Sequence, residues 1–388
     1  MAKPGTVYEP LEKVRKELKV RWVRPAIDRE RLQEFNRRSD AQGWFQAGGH
    51  LLIWLLTGAT VYYFWSQQSW LLFLIALFLH GTVASFFVGI APHELGHGTV
   101  FKTKILNQIF LYIYSCLGWW NHYDYAASHT YHHRYTLHPE GDRENLLPIS
   151  PMVGPFFLVQ LLTINTFTQP GRTFGKGGFI STIYVTILGA LGLFGNIKVP
   201  HHEWLRALHE DQPEMRKDAI WWNRFLLLFH GAVILASLLS GYWVFIFIIS
   251  LSPFIANWGV YMLGMTQHTG LKENDNDFRK ATRSVKTNLI WEFLYWRMNW
   301  HTEHHMFAGI PCYNLRELYY EVADQMPEPR TLLGAWQEMR ETWHRQQEDP
   351  DYYYDTPVPP VKENIRKSRR PADDLESSIG DLAPKGLQ

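Results

Sequence analysis

The stretch HTYHH at residues 129–133 places three imidazoles at i, i+3 and i+4, and HTEHH at residues 301–305 repeats this spacing. A third stretch, HELGH at residues 93–97, places two more imidazoles at i and i+4. On a helix, residues at these spacings share one face, so the rings of each stretch can converge on a single point. Chance would rarely repeat one spacing in this way, even among 18 histidines. Because neutral imidazole binds iron, copper, nickel and zinc, the three stretches predict a metal site.

The bulk composition excludes several classes of protein. A net charge of +1 gives no reason to expect a nucleic-acid partner. The two cysteines, Cys116 and Cys312, are too few for a disulfide scaffold, a four-cysteine zinc site or an iron–sulfur cluster. The first residues lack the apolar core of a signal peptide. Metal binding must therefore depend on the histidines.

The apolar residues are gathered into long uncharged runs. Residues 41–93 contain no Asp, Glu, Lys or Arg and are interrupted only by the polar SQQS at residues 66–69. At ~1.5 Å per residue and ~30 Å of hydrocarbon, this run is long enough for two spanning helices. We expect them near residues 48–65 and 70–92. A buried helical hairpin in a soluble core is the alternative, and the length of the run disfavours it.

A second uncharged run covers residues 225–265, with Ser240 and Gly241 near its middle. It predicts another membrane hairpin, with helices near 225–239 and 242–264. Two further uncharged stretches, 147–171 and 177–196, leave open a model with six spans. We prefer an interfacial position for both, because Arg172 and Lys176 lie between them and would be misplaced on the far side of the membrane.

The distribution of charge predicts the orientation. Both hairpin turns are short and uncharged, whereas the ends and the middle loop are rich in Lys and Arg. The positive-inside bias then puts both termini and every histidine stretch in the cytoplasm. We expect an all-α integral membrane protein of four transmembrane helices, with a cytoplasmic histidine-rich helical cap, in a bacterial inner membrane. Its parts are a cytoplasmic N-terminal segment (1–44), a membrane domain (45–330) and a polar C-terminal tail (331–388), disordered from about Asp349.

The number of histidines distinguishes two kinds of metal chemistry. HELGH also satisfies H-E-x-x-H, the signature of a zinc protease with Glu94 as general base, so an intramembrane protease is one hypothesis. Zinc is satisfied by about four ligands, however, and would leave most of the paired histidines without a role. Eight or nine imidazoles suit two metal ions. Two redox-active metals at a lipid surface favour oxidation of a hydrocarbon, which offers no polar group for acid–base catalysis.

The order HxxxH, HxxHH, HxxHH, interleaved with two membrane hairpins, resembles the membrane fatty-acid desaturase superfamily over about residues 45–330. That superfamily also includes acyl and sphingolipid hydroxylases and carotenoid-modifying enzymes. Within it, MTQHTG at residues 265–270 and NWHTEHHMF at residues 299–307 are similar to a bacterial branch that includes oxygenases of rhizopine catabolism.

The resemblance implies a centre of two iron ions, cycling between Fe2+ and Fe3+, that uses O2 and two electrons. His268 matches an extra ligand found between the second hairpin and the last histidine stretch. At Gly264 the chain departs from desaturases that place an Asn one turn before that histidine. Candidate outer partners of the ligands are Glu94, His122, His138 and Asn299. By motif match, the catalytic ligands are His93, His97, His129, His132, His133, His301, His304 and His305.

The substrate and partners follow from the same resemblance. We expect a membrane lipid or acyl chain as substrate, with a carotenoid or similar hydrocarbon as the alternative, and either desaturation or hydroxylation as the reaction. Electrons should come from a separate ferredoxin, rubredoxin or cytochrome b5 with its reductase, since no carrier is fused to the chain.

Histidines outside the three stretches have other expected roles. His80 and His230 lie inside predicted spans, and we expect each to be neutral and hydrogen-bonded to a neighbouring helix. Replacement of His50 should have little effect. Asp277, Arg279 and Arg283 could either anchor a ligand or form a solvated face.

Overall fold

The computed structural model describes residues 7–145, 151–167, 177–194 and 200–362, which are mostly helical. The N-terminal segment packs on the rest of the chain, because Leu11 and Val14 are buried in one cluster with Trp204. Arg15 forms an ion pair with Asp211 at 2.5 Å. The segment contains three short helices: α1 (Leu11–Glu17), α2 (Arg29–Phe35) and α3 (Asp40–Gly43).

The first apolar run forms the expected antiparallel hairpin. A π-helical turn at Trp44–Gly48 leads into α4 (Gly49–Ser66), and a tight turn in which Gln68 has φ of 54° leads into α5 (Trp70–Ser85). A short break precedes α6 (Ile90–Gly96), and this helix contains His93, the start of the first histidine stretch. The segment Trp70–Gly96 is long and apolar enough to cross a membrane.

The middle of the chain consists of helices that lie beside this hairpin. At 13 residues the apolar helix α10 is shorter than the ~20 residues that a span requires, and it packs along α12. Arg172 and Lys176, on which the interfacial prediction rested, lie outside the described residues. The helices are α7 (Lys104–Leu117), α8 (His122–Tyr135), α9 (Pro155–Leu162), α10 (Phe179–Leu191), α11 (Pro200–Asp211) and α12 (Pro213–Leu239).

The prediction of a continuous helix over 242–264 is wrong. Only its last third is regular, as α13 (Trp258–Gly264), after a π-helical turn at Ile246–Ser250 and a 3-10 turn at Ser252–Phe254. Pro253 cannot donate a backbone hydrogen bond, so the helix is interrupted there. The residues beyond the break instead pair with the chain after α9.

The exchange of backbone hydrogen bonds at the break is specific. The amide of Asn165 donates to the Phe254 carbonyl and the amide of Ala256 donates to the Thr163 carbonyl, both at 2.8 Å. The chain also approaches α5 so closely that a Cβ at Gly81 would lie 2.3 Å from the Ile255 carbonyl oxygen. A side chain at position 81 would therefore push the broken segment away from α5.

The second long apolar helix is α12, whose segment Pro213–Ser240 also meets the length and hydropathy of a membrane span. Two described helices thus meet both criteria. In α4 the Trp, Tyr and Thr residues lower the mean hydropathy, although Leu52, Leu55 and Leu56 are more than half exposed on its outer face. Exposed apolar surface of this kind marks contact with a membrane or with another protein.

The C-terminal third builds a cap around the second and third histidine stretches. Two short parallel strands tie its two ends together, since β1 pairs with β2 through Val285 and Arg330. The elements are α14 (Phe278–Ala281), β1 (Val285–Lys286), α15 (Leu289–Leu294), α16 (His301–Met306), α17 (Leu315–Glu321), β2 (Arg330–Thr331) and α18 (Leu332–Arg345), with 3-10 turns at Cys312–Asn314 and Ala323–Gln325.

The polar segment after residue 331 is packed on the domain further than the sequence predicted. The amide of Tyr354 donates to the Gly270 carbonyl at 2.8 Å, and Arg279 donates to the carbonyl of Pro359 at the same distance. The prediction of disorder from about Asp349 is therefore wrong for the chain up to residue 362, because these backbone contacts require a fixed chain. Residues 363–388 lie outside the described part.

Three buried histidines cross-link the apolar helices. His80 bonds to the Thr57 hydroxyl on α4 and to the Ile248 carbonyl at the break, both at 2.9 Å. His230 on α12 bonds to the Cys116 carbonyl at 2.9 Å. The predicted bonds of His80 and His230 to neighbouring segments are confirmed.

His50 on α4 has the same role, contrary to the sequence prediction. Its Nε2 lies 3.1 Å from the carbonyl of Val83 on α5, and the Trp296 indole donates to its Nδ1 at 2.9 Å. Its ring is fully buried, which its position near the end of an apolar run did not reveal.

We predict that His50→Ala destabilises the protein. The Val83 carbonyl and the Trp296 indole would be left buried without partners, at a cost of roughly 1–3 kcal/mol each. The midpoint of thermal unfolding in mild detergent should fall by several degrees. His344→Ala, at an exposed position on α18, is the matched control and should leave the midpoint unchanged. Equal midpoints for both variants would contradict the cross-linking role.

Candidate metal centre

The nine candidate ligands form two buried groups. In each group the potential ligand atoms all lie within 4.8 Å of one another. Cluster one contains His93, His97, His129, His133 and His304, and cluster two contains His132, His268, His301 and His305. Together they bring α6, α8, α16 and the turn at His268 to one place.

The structure divides each HxxHH stretch between the two clusters, so the prediction of one shared point is wrong. On α8, His129 and His133 are separated by four residues, or ~40°, and face cluster one. His132 lies ~100° from His133 around the helix and faces cluster two. The stretch on α16 divides in the opposite sense, with His304 in cluster one. Each stretch therefore contributes to both sites.

The ring nitrogens that face each other fit bound cations. His93 Nε2 lies 2.7 Å from His304 Nε2, and His133 Nε2 lies 2.8 Å from His129 Nε2. In cluster two, His301 Nε2 lies 2.8 Å from His268 Nε2. A neutral imidazole has one N–H and one lone pair. Where both hydrogens are on the outer nitrogens, two lone pairs meet, and a metal cation between the rings would relieve that repulsion.

The contacts of the outer nitrogens show which rings carry their hydrogen on the outer nitrogen, Nδ1. His132 Nδ1 lies 2.8 Å from an Asp142 carboxylate oxygen, and His268 Nδ1 lies 2.9 Å from the Ala281 carbonyl. Both partners accept hydrogen bonds only, so each Nδ1 must be the donor. His304 Nδ1 lies 3.3 Å from a Glu94 carboxylate oxygen but makes no hydrogen bond to it. The Nε2 atoms of His132 and His268 are therefore free to bind metal, the arrangement found when a carboxylate or carbonyl orients a ligating histidine.

Other ligands have weaker outer partners. The Tyr125 hydroxyl lies 3.1 Å from His93 Nδ1, and the Thr136 hydroxyl lies 3.1 Å from His305 Nδ1. Glu144 lies 3.6 Å from His129 Nδ1, beyond hydrogen-bonding distance, and accepts a bond from the Ser128 hydroxyl at 2.8 Å.

Burial keeps the ligands in the form that binds metal. Desolvation, and then charge on neighbouring rings, holds the pKa of His129, His133 and His304 well below its ordinary value. These imidazoles are therefore neutral at physiological pH, as metal binding requires. Burial also raises the pKa of Glu303 to about 7, although the Ser284 hydroxyl donates to it at 2.6 Å.

The four candidate outer partners named from the sequence have different positions. Glu94 lies against His304, as described above. His122 lies among Tyr112, Tyr123 and Trp222 rather than against a ligand. His138 bonds to the backbone carbonyls of residues 135 and 136, and Asn299 bonds to the backbone of β1. Among the described residues, neither side chain bonds to a candidate ligand.

Sequence reasoning missed Asp142, Glu144 and Tyr125. Asp142 lies in the loop after α8, where its amide donates to the His138 carbonyl at 2.8 Å and turns the chain back toward His132. Its carboxylate also accepts the Leu137 amide at 2.9 Å. The only available signal was an acidic residue ten positions after a ligand, which fits a solvated loop equally well.

His268 is held by an ion pair that reaches the C-terminal helix. Arg283 donates to the carbonyls of Thr266 and Thr269, on either side of His268, at 2.6 and 3.2 Å. The same guanidinium pairs with Glu338 on α18 at 2.5 Å. Of the two roles left open for Arg283, the structure thus favours anchoring a candidate ligand, because its side chain is fully buried.

A cavity, here called the central cavity, opens onto both clusters. It is lined by His93 and His129 of cluster one and by His132 and His301 of cluster two. Its remaining walls come mostly from α6, α9, the broken segment and α13. They are formed by Val88, Ile90, Phe157, Phe254, Val260 and Tyr261, with Glu144, Asn145, Asn257 and Gln267 among the polar residues.

Comparison with known proteins agrees with this site. The family described as "Fatty acid desaturase" matches residues 68–337, well over half of the chain. An sn-1 oleoyl-lipid 12-desaturase from Anabaena variabilis is 23% identical over 327 residues, covering 79% of this chain and 83% of that protein. The match includes all three histidine stretches and both long apolar helices. The chain therefore belongs to the fatty acid desaturase family of membrane oxidoreductases.

Proposed function

We propose that this protein is an O2-dependent di-iron enzyme that desaturates or hydroxylates an alkyl chain of a lipid. The central cavity is the observation that supports this proposal best. Since it touches histidines of both clusters, a carbon bound in it would lie beside both metal sites. Iron bound there would supply the activation of O2 and the two-electron oxidation of a C–H bond.

The side chains around the cavity suit an alkyl substrate. Val88, Ile90, Phe157 and Val260 supply apolar walls that bind a chain and exclude water from its reacting carbon. Tyr261 forms part of one wall of the cavity, and its hydroxyl accepts a hydrogen bond from the Met152 amide at 2.7 Å, which fixes the ring there. Removal of the hydrogen atom is common to desaturation and hydroxylation, and the same walls would serve either reaction.

The position of Glu94 argues against the protease hypothesis. A general base of a zinc protease must reach a metal-bound water in the substrate cleft. Glu94 is fully buried against His304 Nδ1 and does not line the central cavity. Its carboxylate lies beside a candidate ligand instead. The family match, which carries the same residues, also favours oxidation over peptide hydrolysis.

The proposal extends to the membrane arrangement and to the electron source. Four spans, formed by α4, α5–α6, α12 and the broken segment with α13, would put the histidine clusters at the cytoplasmic face of a bacterial inner membrane. Both cysteines are buried and separate, so neither serves an iron–sulfur centre. A separate ferredoxin, rubredoxin or cytochrome b5, with its reductase, would deliver the electrons.

We predict that the protein, purified anaerobically in mild detergent, contains about two iron atoms per chain, because nine imidazoles exceed the needs of one ion. A single zinc ion, with oxidation independent of iron, would contradict the proposal. Replacement of any ligand by Ala should abolish oxidation and lower the iron content, whereas His344→Ala should do neither. The ligands to be replaced are His93, His97, His129, His132, His133, His268, His301, His304 and His305.

We predict that Asp142→Asn weakens metal binding at cluster two. The amide can turn its N–H toward His132 and favour the tautomer whose Nε2 is protonated, and such outer partners are typically worth 10–100-fold in affinity or activity. Iron affinity, measured by competition with a chelator, should fall by about that factor. Asp324→Asn is the matched control, since that exposed carboxylate pairs with Lys362 near the end of the described chain. Similar affinities for the two variants would argue against the role of Asp142.

We predict that reporter fusions after residues 40, 140 and 320 report a cytoplasmic location, because the positive-inside bias puts these loops there. A reporter inserted between residues 67 and 68, in the turn of the first hairpin, should report the opposite side. A cytoplasmic signal from that turn would rule out the four-span arrangement.

A further inference from the structure

A second cavity, here called the distal chamber, adjoins the central cavity. The two share Val88, Trp120, Gly177 and Phe254 as lining residues. The distal chamber extends from this shared wall between α8, α10, α11 and α12, away from the histidine clusters. A chain that passes the metal sites could continue into it.

The far side of the distal chamber is polar. Asp124 is 3% exposed, and one of its carboxylate oxygens accepts a hydrogen bond from His209 Nε2 at 2.7 Å. Asn223 on α12 is 6% exposed, and its side-chain amide has no hydrogen-bond partner among the described residues. Buried amides in folded proteins are nearly always paired, so this one calls for a partner inside the chamber.

The fold keeps space for this amide. A Cβ at Gly189 on α10 would lie 2.2 Å from Asn223 Nδ2, so a side chain at position 189 would displace the amide from its position. Phe194, which follows α10, also lines the chamber beside it. The amide of Asn223 therefore packs against the backbone of α10 at position 189 and also lines the distal chamber.

The chemistry of the chamber identifies the group it would bind. A hydroxyl can donate to the second oxygen of Asp124 and accept from the Asn223 amide, whereas the methyl end of a plain alkyl chain can do neither. We propose that the distal chamber binds a hydroxyl group carried by the substrate chain, several carbons away from the carbon that is oxidised. That the bound molecule is an alkyl chain rests on the proposed function. That it carries a hydroxyl group rests on the residues of the distal chamber alone.

Binding can be measured separately from oxidation. The iron-loaded protein in mild detergent would be titrated calorimetrically with palmitate and with ω-hydroxypalmitate. We expect about tenfold tighter binding of the hydroxylated chain, the effect of one or two added hydrogen bonds. Asn223→Leu keeps the size of the side chain but removes the amide. In this variant the ratio of the two affinities should fall to about onefold, so that neither chain is preferred. Ser237→Ala is the matched control on α12, because that hydroxyl bonds only to its own helix at Val233.

A second variant covers the case in which Asn223→Leu fails to fold. Gly189→Ala keeps the amide but forces it to move, and it should reduce the preference in the same way. Equal affinity for the two chains in the unaltered protein, or no binding of either, would overturn the proposal, as would a preference that persists in both variants.

Oxidation of the two chains, measured with reductant and carrier, keeps this inference distinct from the proposed function. A hydroxyl preference in binding with no oxidation of either chain would support the chamber and count against the proposed reaction. Oxidation of both chains without any preference in binding would support the reaction and overturn the role of the chamber.

Discussion

The structure depends on the convergence of nine buried imidazoles, seven of which have inner nitrogens that face each other at 2.7–3.2 Å. For at least two rings, His132 and His268, an outer acceptor commits the hydrogen to Nδ1 and turns the Nε2 lone pair inward. Such a group of lone pairs is unfavourable without cations between them. Cations between the rings would therefore stabilise the packing of the helices that carry them.

Charge balance provides a second constraint on the same site. Imidazole ligands are neutral, so two bound divalent ions would bring positive charge into a buried region. Glu94, Asp142, Glu144 and Glu303 are buried around the clusters, and the first three face the outer nitrogens of ligands. Asp142 orients the ring of His132, and the four carboxylates together would offset the charge of ions that the rings bind.

The interrupted apolar segment connects the membrane part of the fold to its chemistry. A continuous helix over 242–264 would leave no room for the chain after α9, which pairs with the break at Phe254 and Ala256. Because the segment breaks, Phe254 and Val260 line the central cavity, and α13 leads directly into the turn of His268. Arg283 and Glu338 then hold this turn from the cap. The interruption of this helix is thus what places walls of the central cavity and a candidate ligand together.

The sequence alone determined the helical class, the first apolar hairpin, the long apolar helix α12 and the nine candidate histidines, because these depend on hydropathy and on spacings within single helices. Tertiary structure decided how the histidines divide into clusters, since a difference of ~100° around α8 places His132 and His133 in different clusters. It also decided the roles of His50, Asp142 and Arg283, whose partners are distant in sequence or lie across a folded loop. No local pattern encodes such contacts, because the side chains meet only after the chain has folded.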